Sequence, residues 1–118
     1  MFGQSGHFHA DPQLPEALGV VSAFLAHRKF AVTFIESGGA KMLMNIPRGP
    51  MTYFGLTRCM FGIASITTAL ERLMAPPVNL ARKSVKMALE LLDCANEFAR
   101  RHAALYLTFA VQIPIVVV

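Results

Sequence analysis

The glycine pair at positions 38–39 separates two short apolar segments and constrains the fold of this chain more than any other feature. Phe30, Phe34 and Ile35 precede the pair at helical spacing, which predicts a short amphipathic helix. Either glycine can adopt the left-handed conformation that ends a helix without a steric penalty. A second short helix is predicted over 40–46. Two short helices joined by such a turn are typical of one corner of a stacked helical repeat.

Apolar stripes, prolines and glycines together predict an all-α chain. The helices are expected at about 14–27, 30–36, 40–46, 52–66, 68–74, 79–93 and from 97 towards Pro114. Asn96 is a predicted N-cap of the last helix. Gly55 and Gly62 lie seven residues apart inside the fourth helix, on nearly the same face, although each costs about 1 kcal/mol there relative to Ala. Close approach of a neighbouring helix would explain both glycines.

The stripes also predict which side chains face the core, with Phe34, Ile63 and Leu105 as the test positions. The predicted inward residues are Leu14, Leu18, Val21 and Leu25; Met42, Leu43 and Ile46; Leu56, Met60 and Ile63; Val85, Leu89 and Leu92; and Phe98, His102, Leu105 and Phe109. Arg82, Lys86, Glu90 and Asp93 are predicted to face outward, where Lys86 can approach Glu90 across one turn.

The helix sizes recur, which predicts an armadillo/HEAT-like helical repeat stack. Ala26, Ala64 and Ala110 lie near the ends of three long helices, 38 and 46 residues apart (64 − 26 and 110 − 64), close to the ~40–47 residue period of such repeats. The expected organisation is a flexible segment over 1–10, helical repeats over 11–111 and an apolar tail over 112–118. An ordinary helical bundle is the alternative fold.

Composition leaves two explanations for the apolar character of the chain, which is 54% hydrophobic with a mean hydropathy of +0.47. Either the chain associates with a membrane, or neighbouring repeats cover its end faces. The second is favoured because no stretch offers the ~20 uninterrupted apolar residues of a spanning helix. A net charge of +4 without a basic and aromatic cluster does not favour nucleic-acid binding. Cys59 and Cys94 are predicted to be buried, reduced thiols.

No residue set in the sequence predicts catalysis or the binding of a metal or cofactor. His7 and His9 form a pair without the further ligands that a zinc site needs, and His102 has no identifiable nucleophile or carboxylate partner. The glycine pair lacks the lysine and hydroxyl of a phosphate-binding loop. Methionines at positions 42, 44, 51, 60, 74 and 87 are typical of core filling or of an adaptable surface. The exposed basic residues of a binding face would be Arg28, Lys29, Arg48, Arg58, Arg82, Lys86 and Arg100.

Three segments resemble the armadillo-like region of the Vpr-binding protein family. They are LPEALGVVSAFLAHRKFAVTFIESGGAKMLMNIPR over 14–48, YFGLTRCMFGIASITTALERL over 53–73 and LLDCANEFARRHAAL over 91–105. Members of that family are substrate receptors that bind the damaged-DNA-binding adaptor of cullin-RING ubiquitin ligases. They also carry a LisH motif and a β-propeller, neither of which matches these 118 residues, so the chain is expected to be a fragment or a truncated relative.

The resemblance implies a non-catalytic protein-interaction scaffold in protein ubiquitination, located in the nucleus and also in the cytoplasm. Its expected partners are ligase components or substrates, and not nucleic acid or membrane, with self-association through exposed repeat ends as a further expectation. No cofactor is expected. The alternatives are an unrelated armadillo or HEAT adaptor in transport or signalling, and a small membrane-associated protein.

Overall fold

The computed structural model describes residues 12–114, and within that range the chain is helical without strands. The helices are α1 (Gln13–Phe24), α2 (Arg28–Glu36), α3 (Gly39–Met44), α4 (Tyr53–Ala64), α5 (Thr67–Met74), α6 (Ala81–Leu91) and α7 (Glu97–Ala110). The predicted flexible segment 1–10 and residues 115–118 of the predicted tail lie outside the described residues. Among the helices of the described range, none has both the length and the apolarity needed to cross a membrane.

The predicted helices all exist, and their ends differ by a few residues from the prediction. The last helix ends at Ala110, before Pro114, because the chain tightens into a turn in which the N–H groups of Gln112 and Ile113 donate to the carbonyls three residues earlier. A proline disfavours helical conformation in the residue that precedes it. Asn96 caps α7 as predicted: its Oδ1 accepts a hydrogen bond from the Ala99 N–H at 2.9 Å.

The helices repeat in groups of three, in space as well as in sequence. The longer helices α1, α4 and α7 pack side by side, α2 packs on α5, and α3 packs on α6. Each helix of one repeat thus contacts its counterpart in the next, which is the geometry of a solenoid. The all-α helical repeat fold predicted from the recurring helix sizes is confirmed, and an ordinary bundle does not describe this alternation.

The turn at the glycine pair has a steric cause at each position. Gly38 has a φ of +97°, a conformation that side chains with a Cβ rarely adopt. A Cβ atom on Gly39 would overlap the Phe34 ring, which stacks on the Phe30 ring at a centroid distance of 5.6 Å. Gly38 is therefore favoured by its backbone conformation, and Gly39 by the position of the Phe34 ring.

The close helix approach predicted at both glycines is confirmed at Gly55, where the neighbour is α1, but not at Gly62. A Cβ atom on Gly55 would lie 2.7 Å from the Leu18 Cβ, whereas one on Gly62 would lie 3.6 Å from the Leu25 Cβ. Between them the Cys59 thiol donates to the Leu18 carbonyl at 3.5 Å. Since both contacts advance together along the two helices, α1 and α4 run parallel.

The predicted stripes of α1 and α4 lie in the core, and so does Leu43 of α3, but α6 and α7 turn a different face inward. Ile63 is buried and Phe34 half-buried, whereas Leu105, Leu89 and Met42 are 38%, 53% and 63% exposed. The side chains that α6 and α7 bury instead are Ser84, Met87, Ala88, Leu91, Ala99, Ala103, Tyr106 and Ala110. The inward assignment of Met42, Leu89, Phe98, Leu105 and Phe109 is wrong. On α6 and α7 the buried side combines small residues such as Ala88, Ala99 and Ala103, which allow close helix contact, with the large side chains of Met87, Leu91 and Tyr106.

One buried hydrogen bond links α7 to α6. The Tyr106 hydroxyl donates to the Ser84 Oγ at 2.7 Å, and the Ser84 hydroxyl in turn donates to the Ala81 carbonyl at 3.0 Å. Burial raises the pKa of Tyr106 to about 12, against the opposing effect of the Ser84 hydrogen bond. This chain of donors satisfies two polar groups that would otherwise be costly to bury.

Polar contacts at the surface join equivalent helices of successive repeats. The Arg48 guanidinium, just after α3, lies 3.4 Å from the Glu90 carboxylate of α6 and donates to the Met44 carbonyl at 2.9 Å. Glu90 was predicted to meet Lys86, but it meets Arg48. Arg72 of α5 forms an ion pair with Glu36 of α2. Such exposed pairs contribute little stability individually. They show which helices of successive repeats are neighbours, but they are not the main source of the stability of the stack.

Candidate protein-interaction groove

A groove crosses the outer face of the layer formed by α1, α4 and α7, and we call it the aromatic groove. Its volume is about 600 Å³, within the range of about 300–1,000 Å³ that is usual for ligand sites. The residues that line it include Phe54, Arg58 and Phe61 from α4, Phe98 and His102 from α7, and Ser22 and Ala26 from the region of α1.

The rings of this groove form one continuous contact network between α4 and α7. Phe54 meets Phe98 edge-to-face at a centroid distance of 6.3 Å, and Phe61 meets His102 at 5.5 Å. Phe61 also lies 6.1 Å from Phe109. Phe54 and Phe98 remain 40% and 58% exposed. An exposed cluster of large apolar rings in a concave surface is characteristic of a binding site.

Arginine side chains flank the aromatic rings. The Arg58 guanidinium carbon lies 5.4 Å from the Phe54 ring centre, and that of Arg101 lies 6.0 Å from the Phe98 ring centre. Both distances fall in the range of cation–π attraction. A smaller depression continues the groove: it shares Ala26 with the aromatic groove and adds Arg28. No carboxylate is among the described residues that line either depression.

His102 sits among these rings with its Nδ1 atom buried and without a hydrogen bond of ordinary geometry. Burial lowers the pKa of His102, and the nearby cations Arg58 and Arg101 act in the same direction. The Phe98 backbone carbonyl opposes this shift. Because the usual histidine pKa is near 6.5, the ring is predominantly neutral at pH 7 and acts in the groove as an aromatic surface with one polar edge.

The described residues that line the groove hold no arrangement typical of catalysis. The Ser22 hydroxyl donates to the Gly19 carbonyl at 2.8 Å, and the Ser65 hydroxyl donates to the Phe61 carbonyl at 2.8 Å. Neither serine is paired with a base. Within residues 12–114 no three His, Cys, Asp or Glu side chains come together to hold a metal ion.

The basic residues proposed from the sequence as one face are dispersed over the structure. Arg58 lines the aromatic groove and Arg28 its continuation. Arg48 is engaged with Glu90, and Arg100 donates to the Cys94 carbonyl at 2.9 Å. The exposed residues Lys29, Arg82 and Lys86 do not line either depression.

Other candidate residues are accounted for by burial. Both cysteines are buried and unpaired, as predicted, and burial raises the pKa of Cys59 to about 12. Met44, Met60, Met74 and Met87 fill core, whereas Met42 and Met51 are exposed. The proposed metal pair, His7 and His9, lies outside the described residues.

The sequence does not reveal the groove as long as Phe98, His102 and Phe109 are assigned to the core. The available signal was the pair Phe54 and Phe61, seven residues apart with Arg58 between them, on a helix face distinct from that of Leu56 and Ile63. That spacing places two rings and a cation on one outer side of α4.

Sequence comparison relates these helices to a known protein family and to several known proteins. The family model described as the Mahjong helical domain matches residues 9–77, which include α1 to α5. The chain is 39% identical over 99 residues to the DDB1- and CUL4-associated factor homolog 1 of Arabidopsis thaliana, covering 84% of this chain and 5% of that protein. No solved structure matches the chain significantly.

Two further relatives are more distant. The chain is 27% identical over 101 residues to the protein mahjong of Drosophila melanogaster, covering 86% of this chain and 6% of that protein. It is 26% identical over 91 residues to the DDB1- and CUL4-associated factor homolog 1 of Caenorhabditis elegans, covering 77% and 5%. The chain thus spans only about one part in twenty of the curated relatives that it matches.

Proposed function

We propose a function from family membership: this chain belongs to the Mahjong helical domain family, which includes DDB1- and CUL4-associated factors. The proposed function is that of a non-catalytic protein-interaction module within a substrate receptor of a cullin-RING ubiquitin ligase. The relatives' names supply DDB1 and CUL4 as the partners of the assembly. Within such a receptor, the share of this segment is proposed to be the binding of further proteins.

The observation that supports this proposal is the aromatic groove, which presents Phe54 and Phe98 to solvent beside Arg58. Aromatic side chains and arginine are the residues that most often dominate protein–protein binding energy. The same repeats that build the core of the stack also create a concave outer face, and solenoids use such faces for binding.

Affinity purification tests the proposal with the protein in which this segment occurs. The tagged protein, with and without residues 13–110, is purified from its own cells and the bound proteins are identified by mass spectrometry. We expect DDB1 and CUL4 with both forms, and a set of further proteins only with the form that has the segment. Absence of DDB1 and CUL4 from both forms would contradict the receptor assignment. Loss of DDB1 when the segment is removed would contradict the proposal that this segment binds proteins other than DDB1.

We also propose a nuclear location, with a cytoplasmic fraction, for the protein that carries this segment. Fractionation of the same cells, with detection of the tag, tests the location. A signal confined to the cytoplasm or to membranes would contradict it.

A further inference from the structure

We propose that the aromatic groove binds an acidic peptide segment that packs a large apolar side chain against the exposed rings of Phe54 and Phe98 and places carboxylates on Arg58 and Arg28. The inference deepens the proposed function, on which it rests, by naming the chemistry of the partner. The occupant is an extended or helical segment of another protein, with leucine, methionine or phenylalanine set among aspartate and glutamate.

The exposure of Phe54 is not caused by the lack of a helix beside α4. In the described chain α4 already has a neighbour on each side: Gly55 and Gly62 face α1, and Phe54 and Phe61 contact rings of α7. Phe54 nevertheless remains 40% exposed. Its exposure therefore does not come from a missing repeat. The exposed residues Val20 and Phe24 of α1, in contrast, do not line the groove.

Charge complementarity identifies the occupant. Arg58 lies within the groove and Arg28 lines its continuation, while no described lining residue carries a negative charge. Arg101 at the rim is only loosely engaged, with its Nη2 atom 3.9 Å from the Glu97 carboxylate. Guanidinium groups in a partly dehydrated, aromatic environment bind carboxylates with two directed hydrogen bonds. An acidic segment would satisfy these cations, and a basic one would be repelled.

The arrangement of the rings favours a peptide over single-stranded nucleic acid. Base stacking needs a free ring face, but Arg58 lies over the Phe54 ring and Arg101 over the Phe98 ring. The Phe54 and Phe98 planes also meet at 79°, so they do not form a flat platform. Tilted rings that line a surface groove are instead suited to contacting one aliphatic or aromatic side chain.

A random-peptide phage library, selected on the immobilised 118-residue chain, tests this inference. We expect selected peptides that combine aspartate or glutamate with leucine, methionine or phenylalanine. One such peptide is then synthesised with a fluorescent label and titrated by fluorescence anisotropy against the chain and its variants. Failure to select any peptide, or selection of basic or wholly polar peptides, would overturn the inference. A labelled oligothymidylate that binds more tightly than every selected peptide would also overturn it, in favour of nucleic acid.

Matched variants show whether the peptide occupies the groove. Arg58→Glu is compared with Arg82→Glu, which makes the same charge change outside the groove, and Phe54→Ala is compared with Phe24→Ala. We expect Arg58→Glu and Phe54→Ala each to weaken binding by at least about tenfold, the scale of an interface hot spot. The two control variants should change it less than about twofold, on the scale of interface residues away from hot spots. Equal effects of a groove variant and its control would refute the site.

The fold of each variant is monitored by circular dichroism. Arg58 and Phe54 are both exposed, and Arg58→Glu should leave the melting temperature nearly unchanged, so its binding result stands even where a ring truncation lowers stability. The peptide selection uses the chain alone and measures only ligand binding, whereas the affinity purification measures association with DDB1. A negative selection with DDB1 still co-purifying would refute the groove ligand and leave the proposed function intact.

Discussion

Alanine substitutions at Gly55 and Gly62 should have opposite effects on stability, although both glycines lie on the same face of α4. Replacing a glycine in a helix interior with alanine contributes up to about 1 kcal/mol of stability. At Gly62 the new Cβ would make an ordinary contact, 3.6 Å from the Leu25 Cβ. Gly62→Ala is therefore expected to stabilise the chain by about 0.5–1 kcal/mol.

At Gly55 the same gain is opposed by a steric clash. The new Cβ would lie 2.7 Å from the Leu18 Cβ and 2.9 Å from its Cδ1. A Cβ atom is fixed by the backbone, so α1 itself must move, and overpacking of this kind costs about 1–3 kcal/mol. The net change for Gly55→Ala is a loss of roughly 0–2 kcal/mol, and the two variants should differ by about 1–3 kcal/mol.

Urea unfolding and thermal melting, both followed by circular dichroism, measure this difference. A difference of 1 kcal/mol corresponds to about 4–8 °C in melting temperature for a domain of this size. Leu18 is buried, so Leu18→Ala alone should cost about 2–5 kcal/mol. In the Gly55→Ala background it should cost less, because alanine removes the Cδ1 contact and keeps the Cβ contact. Equal stability of Gly55→Ala and Gly62→Ala would refute the reasoning, since it would mean that α1 approaches α4 no more closely at Leu18 than at Leu25.

Four further changes test individual contacts. Gly38→Ala should lower the free energy of unfolding by about 1–2 kcal/mol, because alanine is strained in the left-handed conformation, and a melt that is unchanged would contradict the turn geometry. Tyr106→Phe should cost about 1 kcal/mol through loss of a buried hydrogen bond, measured by urea unfolding. The pKa of His102 is lowered in the folded chain, so the unfolded chain takes up the proton first and stability should fall as the pH drops below about 6.5. His102→Gln should reduce the dependence of the unfolding free energy on pH. An unchanged pH dependence in this variant would contradict the assignment to His102. In a Cys94→Ser variant the thiol of Cys59, whose pKa is raised to about 12, should react with a thiol reagent at the rate of unfolding, and immediate labelling would show that it is exposed.

Helix positions and the glycine turn could be predicted from local chemistry alone. Asn96 as an N-cap and Gly38 as a left-handed turn residue depend on interactions within a few positions of sequence, so the sequence contains all the required information. The inward stripe of α4 was also predictable because Leu56, Met60 and Ile63 form a single large apolar row. The partner of each glycine could not be predicted, since it depends on how separate helices pack.

The last helix shows why the sequence alone misplaced the candidate site. Phe98, His102 and Phe109 do share one side of α7, as their spacing predicts, but spacing does not decide whether that side meets the core or the solvent. A second side, with Ala99 and Ala103, is equally regular, and it is the side that is buried. Small residues allow two helices to pack at short distance and keep more of their surface in contact. Burying the alanine side leaves the aromatic side outside, where the rings contact those of α4. The apparent error in the core assignment and the existence of the aromatic groove therefore have one physical cause, namely that α7 packs through the side that carries Ala99, Ala103 and Tyr106.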